Sequence, residues 1–162
     1  MDAKPGDLGH EDRVRLSANR MLYVLPADVR DELIEQFRVE DVDAGVHVLE
    51  EAELNSRLFI LLRGVVGVKL PKQGGRVSEV NLATLRAGDA FGEYSLFDGE
   101  RVSATVYAVQ PTRLAWVERT ALDRIMDAHG PKTARRFYEG VIRILVGRLR
   151  AKDAELDLIT IG

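Results

Sequence analysis

The residues best placed to do chemistry in this 162-residue chain lie between Phe91 and Ala108, in FGEYSLFDGERVSATVYA. Phe91-Gly92-Glu93 reads as a strand end that turns into a short helix, with Glu93 to Phe97 as about one turn. Asp98-Gly99-Glu100 breaks that turn, and Ser103 to Ala108 resumes as a strand carrying the β-branched Thr105 and Val106. A strand that turns at a glycine into a helix leaves unpaired backbone N–H groups aimed at one spot. Such a spot attracts anions, phosphate above all. There Glu93 can accept hydrogen bonds from a sugar hydroxyl, and Arg101 can meet a phosphate. A corner with one glycine, one acid and one arginine also serves simply to turn a chain.

Other chemistries find less support. His10, His47 and His129 lack metal-ligand spacing, and Ser95 does not sit in a G-x-S-x-G elbow. There is no cysteine, which excludes disulfides, thiolate metal sites and cysteine nucleophiles, and suits a reducing cytoplasm. Neither catalysis nor a metal or cofactor is expected.

G-E, an apolar residue, a small one, Leu and an apolar one, then a turn and S-A-T-V, resembles the phosphate-binding cassette of cyclic-nucleotide-binding domains. That family includes the bacterial catabolite activators, the regulatory subunits of protein kinase A and the cyclic-nucleotide-gated channels. The matching residues are Gly92, Glu93, Tyr94, Ser95, Leu96 and Phe97, then Ser103, Ala104, Thr105 and Val106. The resemblance runs over roughly Leu22 to Leu158, with Gly45, the stretch Leu58 to Gly64, and Arg86-Ala87-Gly88-Asp89-Ala90 at the family's turns. It implies an α+β fold, an antiparallel β-roll (jelly-roll-like, a double-stranded β-helix) flanked by N-terminal helices and a long C-terminal helix.

The chain departs from the family at one place. In the family an arginine directly precedes the small residue and the alanine, and grips the phosphate. That position here is Val102, and Arg101 sits one residue early. Side chains alternate along a strand, so Arg101 should point to the opposite face unless a bulge in the Gly99–Val102 turn brings it back. Without it the phosphate loses a bidentate, charge-assisted contact.

The resemblance implies a ligand site of Phe91, Gly92, Glu93, Tyr94, Ser95, Leu96, Arg101, Val102, Ser103 and Ala104, with Val80 and Leu82 flanking the base. Glu93 would hold the ribose 2′-hydroxyl. Backbone N–H groups near Ser95, Ser103 and Ala104, with the Ser103 hydroxyl, would hold the phosphate. The expected ligand is cAMP or cGMP, with no choice between them. The chain then reads as a regulatory domain that relays binding through its C-terminal helix to an unidentified partner. Two alternatives stand beside it: a fold that has lost its ligand and serves as a dimerisation or docking module, and a site for another anion.

These residues need a scaffold, and the rest of the chain can supply one. Its length suits one domain with a substantial core. The composition, 46% apolar and 30% charged, is that of a globular protein, and the net charge of −3 argues against general affinity for nucleic acid or acidic membrane. Residues 1–10 read as a disordered tail and 11–162 as the domain, with a roll over about 39–118 and C-terminal helices over about 120–159. Neither a secretory leader nor a membrane span is evident. Helices are expected over Glu11 to Leu22 and from Pro26 to about Phe37. Strands are expected at Val46–Leu49, Leu58–Leu62, Val65–Leu70, Val77–Leu85, Ser103–Val109 and Arg113–Glu118, with a hairpin tip at Gly74-Gly75 and Trp116 in the core or flanking the roll.

Thr120 to His129 and Pro131 to Ile159 complete the pattern as helices. On the second, Tyr138, Ile142, Leu145, Leu149, Leu156 and Ile159 fall at heptad spacing, interrupted by Lys152, a seam that suits pairing with a second copy of the chain. Its basic residues, Lys132, Arg135, Arg136, Arg143, Arg148, Arg150 and Lys152, read as a solvated face. Ten residues remain after Lys152, too few for a helix-turn-helix, so no DNA-reading module is expected.

Overall fold

The computed structural model describes residues 7–73 and 75–160, with side chains to Leu156. The first six residues of the expected tail and Gly74 at the hairpin tip lie outside what is described, as does the side chain of Ile159 at the end of the heptad seam. Among the described residues thirteen elements follow in order. Two helices, α1 (His10–Ser17) and α2 (Ala27–Ile34), precede β1 (Arg38–Val42), β2 (His47–Leu49), β3 (Arg57–Arg63), β4 (Val65–Leu70), β5 (Val80–Arg86) and β6 (Ala90–Phe91). Then come α3 (Glu93–Asp98), β7 (Thr105–Ala108), β8 (Thr112–Glu118), α4 (Arg119–His129) and α5 (Pro131–Thr160).

The strands form two antiparallel four-stranded sheets, ordered β1-β8-β3-β6 and β2-β7-β4-β5. This is the antiparallel roll with flanking helices and a long C-terminal helix that the resemblance implied. The continuous apolar run of β3 has a simple cause, since both faces are covered. Leu58, Ile60 and Leu62 face a core shared with Leu16, Leu33, Phe37, Leu122, Ile125 and Phe137 of the helical layer. Phe59 and Leu61 face the space between the sheets, with Val66, Val106, Leu114 and Trp116. β8 alternates in the same way, with Ala115 and Val117 toward the helices.

Several boundaries differ from expectation for local reasons. The first helix ends at Ser17 because the buried Asn19 folds back, accepting from the Met21 N–H at 2.9 Å and donating to the Gly88 carbonyl at 2.9 Å. The strand expected from Ser103 begins at Thr105, because Val102 and Ala52 pair outside the sheet. The Arg38–Val42 segment, not singled out as a strand, pairs with β8 along its whole length. Gly130, at φ 80°, ends α4, and Pro131 opens α5 in the next position.

Candidate functional site

The cassette is positioned from β6. Phe91 pairs with Phe59 in the sheet, and their rings stack at 4.9 Å. The chain then turns at Gly92, φ 81°, where an added Cβ would stand 2.8 Å from the Arg57 carbonyl. No side chain fits there, so the turn requires glycine. Asn55 braces the corner, donating from Nδ2 to the Gly92 carbonyl at 3.1 Å and to Ser95 Oγ at 3.2 Å.

Opposite the corner lies the 100–104 segment. Val102 donates to the Glu53 carbonyl and accepts from the Ala52 N–H, each at 2.8 Å. These two bonds fix its side chain inward, 7% exposed. Arg101 points the other way, and its Nη1 donates to the Ala52 carbonyl at 2.8 Å. No bulge returns it.

Between corner and segment is a cavity of about 550 Å³, closed on a third side by α5. Of the twelve residues expected at the ligand, nine line it: Phe91 to Ser95, Val102 to Ala104, and Leu82. Three lie elsewhere. Leu96 is 1% exposed and faces the helical core. Arg101 is held at Ala52. Val80, 44% exposed, lies beyond a bulge at Leu82, where β5 advances from Asn81 to Ala83 while β4 steps only from Lys69 to Val68.

The cations of the site come from α5. Arg148 Nη1 donates to Glu93 Oε1 at 2.5 Å, and its Nη2 donates to the Ala90 carbonyl. The Glu93 side chain is 5% exposed and that of Arg148 30%. Burial pushes the Glu93 carboxyl above the usual carboxylate range, while the Arg148 charge opposes that rise. One turn further along α5, Lys152 Nζ meets Glu155 Oε2 at 2.7 Å, and both residues line the cavity with Leu145 and Leu149. The reading of α5 as a basic solvated face did not single out Arg148 or Lys152. No local signal marks them, since Arg148 is 55 residues from Glu93.

Polar groups of opposite sign at one end, apolar walls from Leu49, Val68, Leu85 and Val106, and a mouth beside a helix suit a small, partly polar ligand. Among the described residues no group of acids and histidines could hold a metal ion, and no helix is long and apolar enough to cross a membrane.

Comparison with known proteins bears on the same region. The family described as cyclic nucleotide-binding domain matches residues 39–129. Glutaminase 1 of Bradyrhizobium diazoefficiens is 29% identical over 155 residues, 96% of this chain and 24% of that protein. The CRP-like cAMP-activated global transcriptional regulator of Mycobacterium tuberculosis is 31% identical over 128 residues, 78% of this chain and 54% of the regulator. The chain thus spans about a quarter of the one relative and about half of the other. Among solved structures, a cyclic nucleotide-binding domain from Methylobacillus flagellatus superposes with a TM-score of 0.75 at 23% identity, covering 89% of this chain and 83% of that one. With the cassette corner, the two-sheet roll and the closing helix in place, the chain belongs to the cyclic nucleotide-binding domain family.

Proposed function

We propose that this chain is a regulatory domain that binds cAMP or cGMP between the cassette and α5, and passes binding to a partner protein by moving α5. The observation that carries the proposal is the Glu93–Arg148 contact, which makes α5 one wall of the cavity. A ligand entering there must meet that helix, so its affinity and the helix position are linked. In this reading Glu93 holds the ribose hydroxyl, while the Ser103 hydroxyl and nearby backbone N–H groups hold the phosphate. Arg148 balances Glu93 and shares its guanidinium with the incoming anion. Residues 11–162 act as one non-catalytic unit in the cytoplasm. A second copy pairs along α5, where Ile142 and Leu149 are 57% and 61% exposed at heptad spacing.

Calorimetric titration of the chain, freed of carried-over nucleotide, tests this directly. Micromolar or tighter binding, on the order of −8 kcal/mol, is expected, and Glu93→Ala should abolish it. Silence from the folded protein with both nucleotides refutes the proposal.

One observation favours a second reading, a fold that binds no nucleotide and acts through α5. Val102 fills the place of the phosphate-gripping arginine, and Arg101 is turned away. Silent titrations together with self-association unaffected by Glu93→Ala are its signature.

A further inference from the structure

We propose that the free edge of β5 is a pairing surface for a second copy of this chain, joined strand to strand in an antiparallel, two-fold arrangement. β5 ends the sheet β2-β7-β4-β5 and is hydrogen-bonded to β4 alone. At seven residues it is the longest edge strand among the described residues; β1 has five, β2 three and β6 two. Its other flank is a row of backbone N–H and C=O groups open to pairing. No proline interrupts it, and Val80 and Leu82 are 44% and 38% exposed.

The bulge at Leu82 gives this edge a symmetry. Ala83 faces Val68 and Asn81 faces Lys69, so Leu82 is the extra residue. Val66 and Val68 pack into the core between the sheets. Leu85 and Ala83, opposite them, therefore point to that inner side, as does Val80 opposite Leu70. Leu82 lines the cavity on the same side. Asn81, Thr84 and Arg86 take the outer face, with Glu79, whose carboxylate reaches Lys69 there at 2.9 Å. From 79 to 86 the order is outer, inner, outer, inner, inner, outer, inner, outer, the same read from either end. A bulge ordinarily discourages edge pairing. A palindrome about the bulge lets one copy match another running the opposite way.

In that match Glu79 lies opposite Arg86 of the second copy, Val80 opposite Leu85, and Asn81 opposite Thr84, with the two bulges meeting on the two-fold axis. Apolar faces apolar, polar faces polar, and the charged pair is of opposite sign. The Arg86 guanidinium has no partner among the described residues. Backbone direction agrees. The Val65 carbonyl accepts from the Val109 N–H at 2.9 Å, so Val65, Gly67 and Lys69 bond toward β7. Their β5 neighbours Arg86, Thr84 and Asn81 then turn their backbone groups to the open edge. Asp89 Oδ2 meets the Arg86 N–H at 2.8 Å and closes the ladder there, leaving Asn81 and Thr84 to exchange hydrogen bonds with their counterparts. Because Leu82, Ala83 and Leu85 line the cavity, the seam runs along its rim.

Sedimentation equilibrium of the full chain without nucleotide tests this. The natural chain should associate as its concentration rises, and less so at high salt. Arg86→Glu sets a carboxylate opposite Glu79, and Glu79→Lys sets a cation opposite Arg86, so each variant alone should weaken the edge contact by about tenfold. Mixed in equal amounts, the two variants should associate as the natural chain does, since each supplies the charge the other lacks. Both positions are exposed, and circular dichroism checks that the variants fold. Pairing along α5 is indifferent to these charges and stands or falls by itself. A natural chain that stays monomeric, association equally strong in the natural chain and the single variants, or mixed variants that fail to associate would overturn the edge assignment.

Discussion

Replacing Arg148 by methionine removes the counter-charge of a buried carboxylate while keeping much of the apolar stem. Glu93 is 4% exposed and would be left without a cation, and the Ala90 carbonyl would lose a donor. Breaking a buried pair from one side costs about 3–5 kcal/mol. Arg148 keeps 30% of its side-chain surface in water, so solvent moderates the loss to about 2–3 kcal/mol. Adding Glu93→Gln removes the stranded charge, so the double variant should lose less than the sum of the two single losses, with a coupling of about 1–3 kcal/mol.

The pH dependence has a definite sign. Burial holds the folded-state pKa of Glu93 above its unfolded value. The stability contributed by protonating it is therefore complete below the unfolded value and is lost as pH rises through the folded one. Without Arg148 the folded value moves higher still. The Arg148→Met variant should accordingly recover stability, relative to the natural chain, between pH 7 and pH 5. Urea denaturation at both pH values measures this. A variant within about 1 kcal/mol of the natural chain at pH 7, or one whose deficit stays constant at pH 5, would refute the description of Glu93 as a buried charge held by Arg148.

Three further outcomes follow from particular contacts. Gly67→Ala should destabilise by about 1–3 kcal/mol in thermal or chemical denaturation, because the new Cβ would stand 2.6 Å from the Tyr107 ring across β4 and β7. Shortening Tyr107 to serine in the same chain should relieve much of that added loss. Leu96→Ala should cost about 2–5 kcal/mol in urea denaturation, since its side chain is fully enclosed where α3 meets the helical core. Hydrogen bonds from Arg76, then from Gln73, hold the Glu51 carboxyl down at about 2. Its stabilising contribution is present above the ordinary carboxylate range and is lost as pH falls from there toward about 2. Arg76→Gln should move the Glu51 titration, followed by NMR, back toward the ordinary value.

What could be read along the chain is what short-range rules govern. The run Leu58 to Leu62 announced a strand, and the structure adds that each of its faces is covered. The glycine at 92 announced a turn, and the structure adds that the Arg57 carbonyl stands where a Cβ would go. The strand period set Arg101 and Val102 on opposite sides, and the Ala52 and Glu53 backbone holds them there. Where a local rule was interrupted, the reading slipped. Asn19 ended the first helix early through contacts with Met21 and Gly88, and a bulge at Leu82 separated Val80 from the cavity.

The sequence by itself determined the roll, the helices and the cassette corner, because alternation, heptad spacing and glycine turns are enforced by neighbours a few residues apart. Only the tertiary structure decided that Arg148 closes on Glu93 and that Lys152, which interrupts the heptad seam, faces the cavity beside Glu155. Those contacts depend on where a 30-residue helix lies against the roll. That placement is set by the packed core at its start, around Phe137 and Val141, and leaves no mark in the spacing of the charged residues further along.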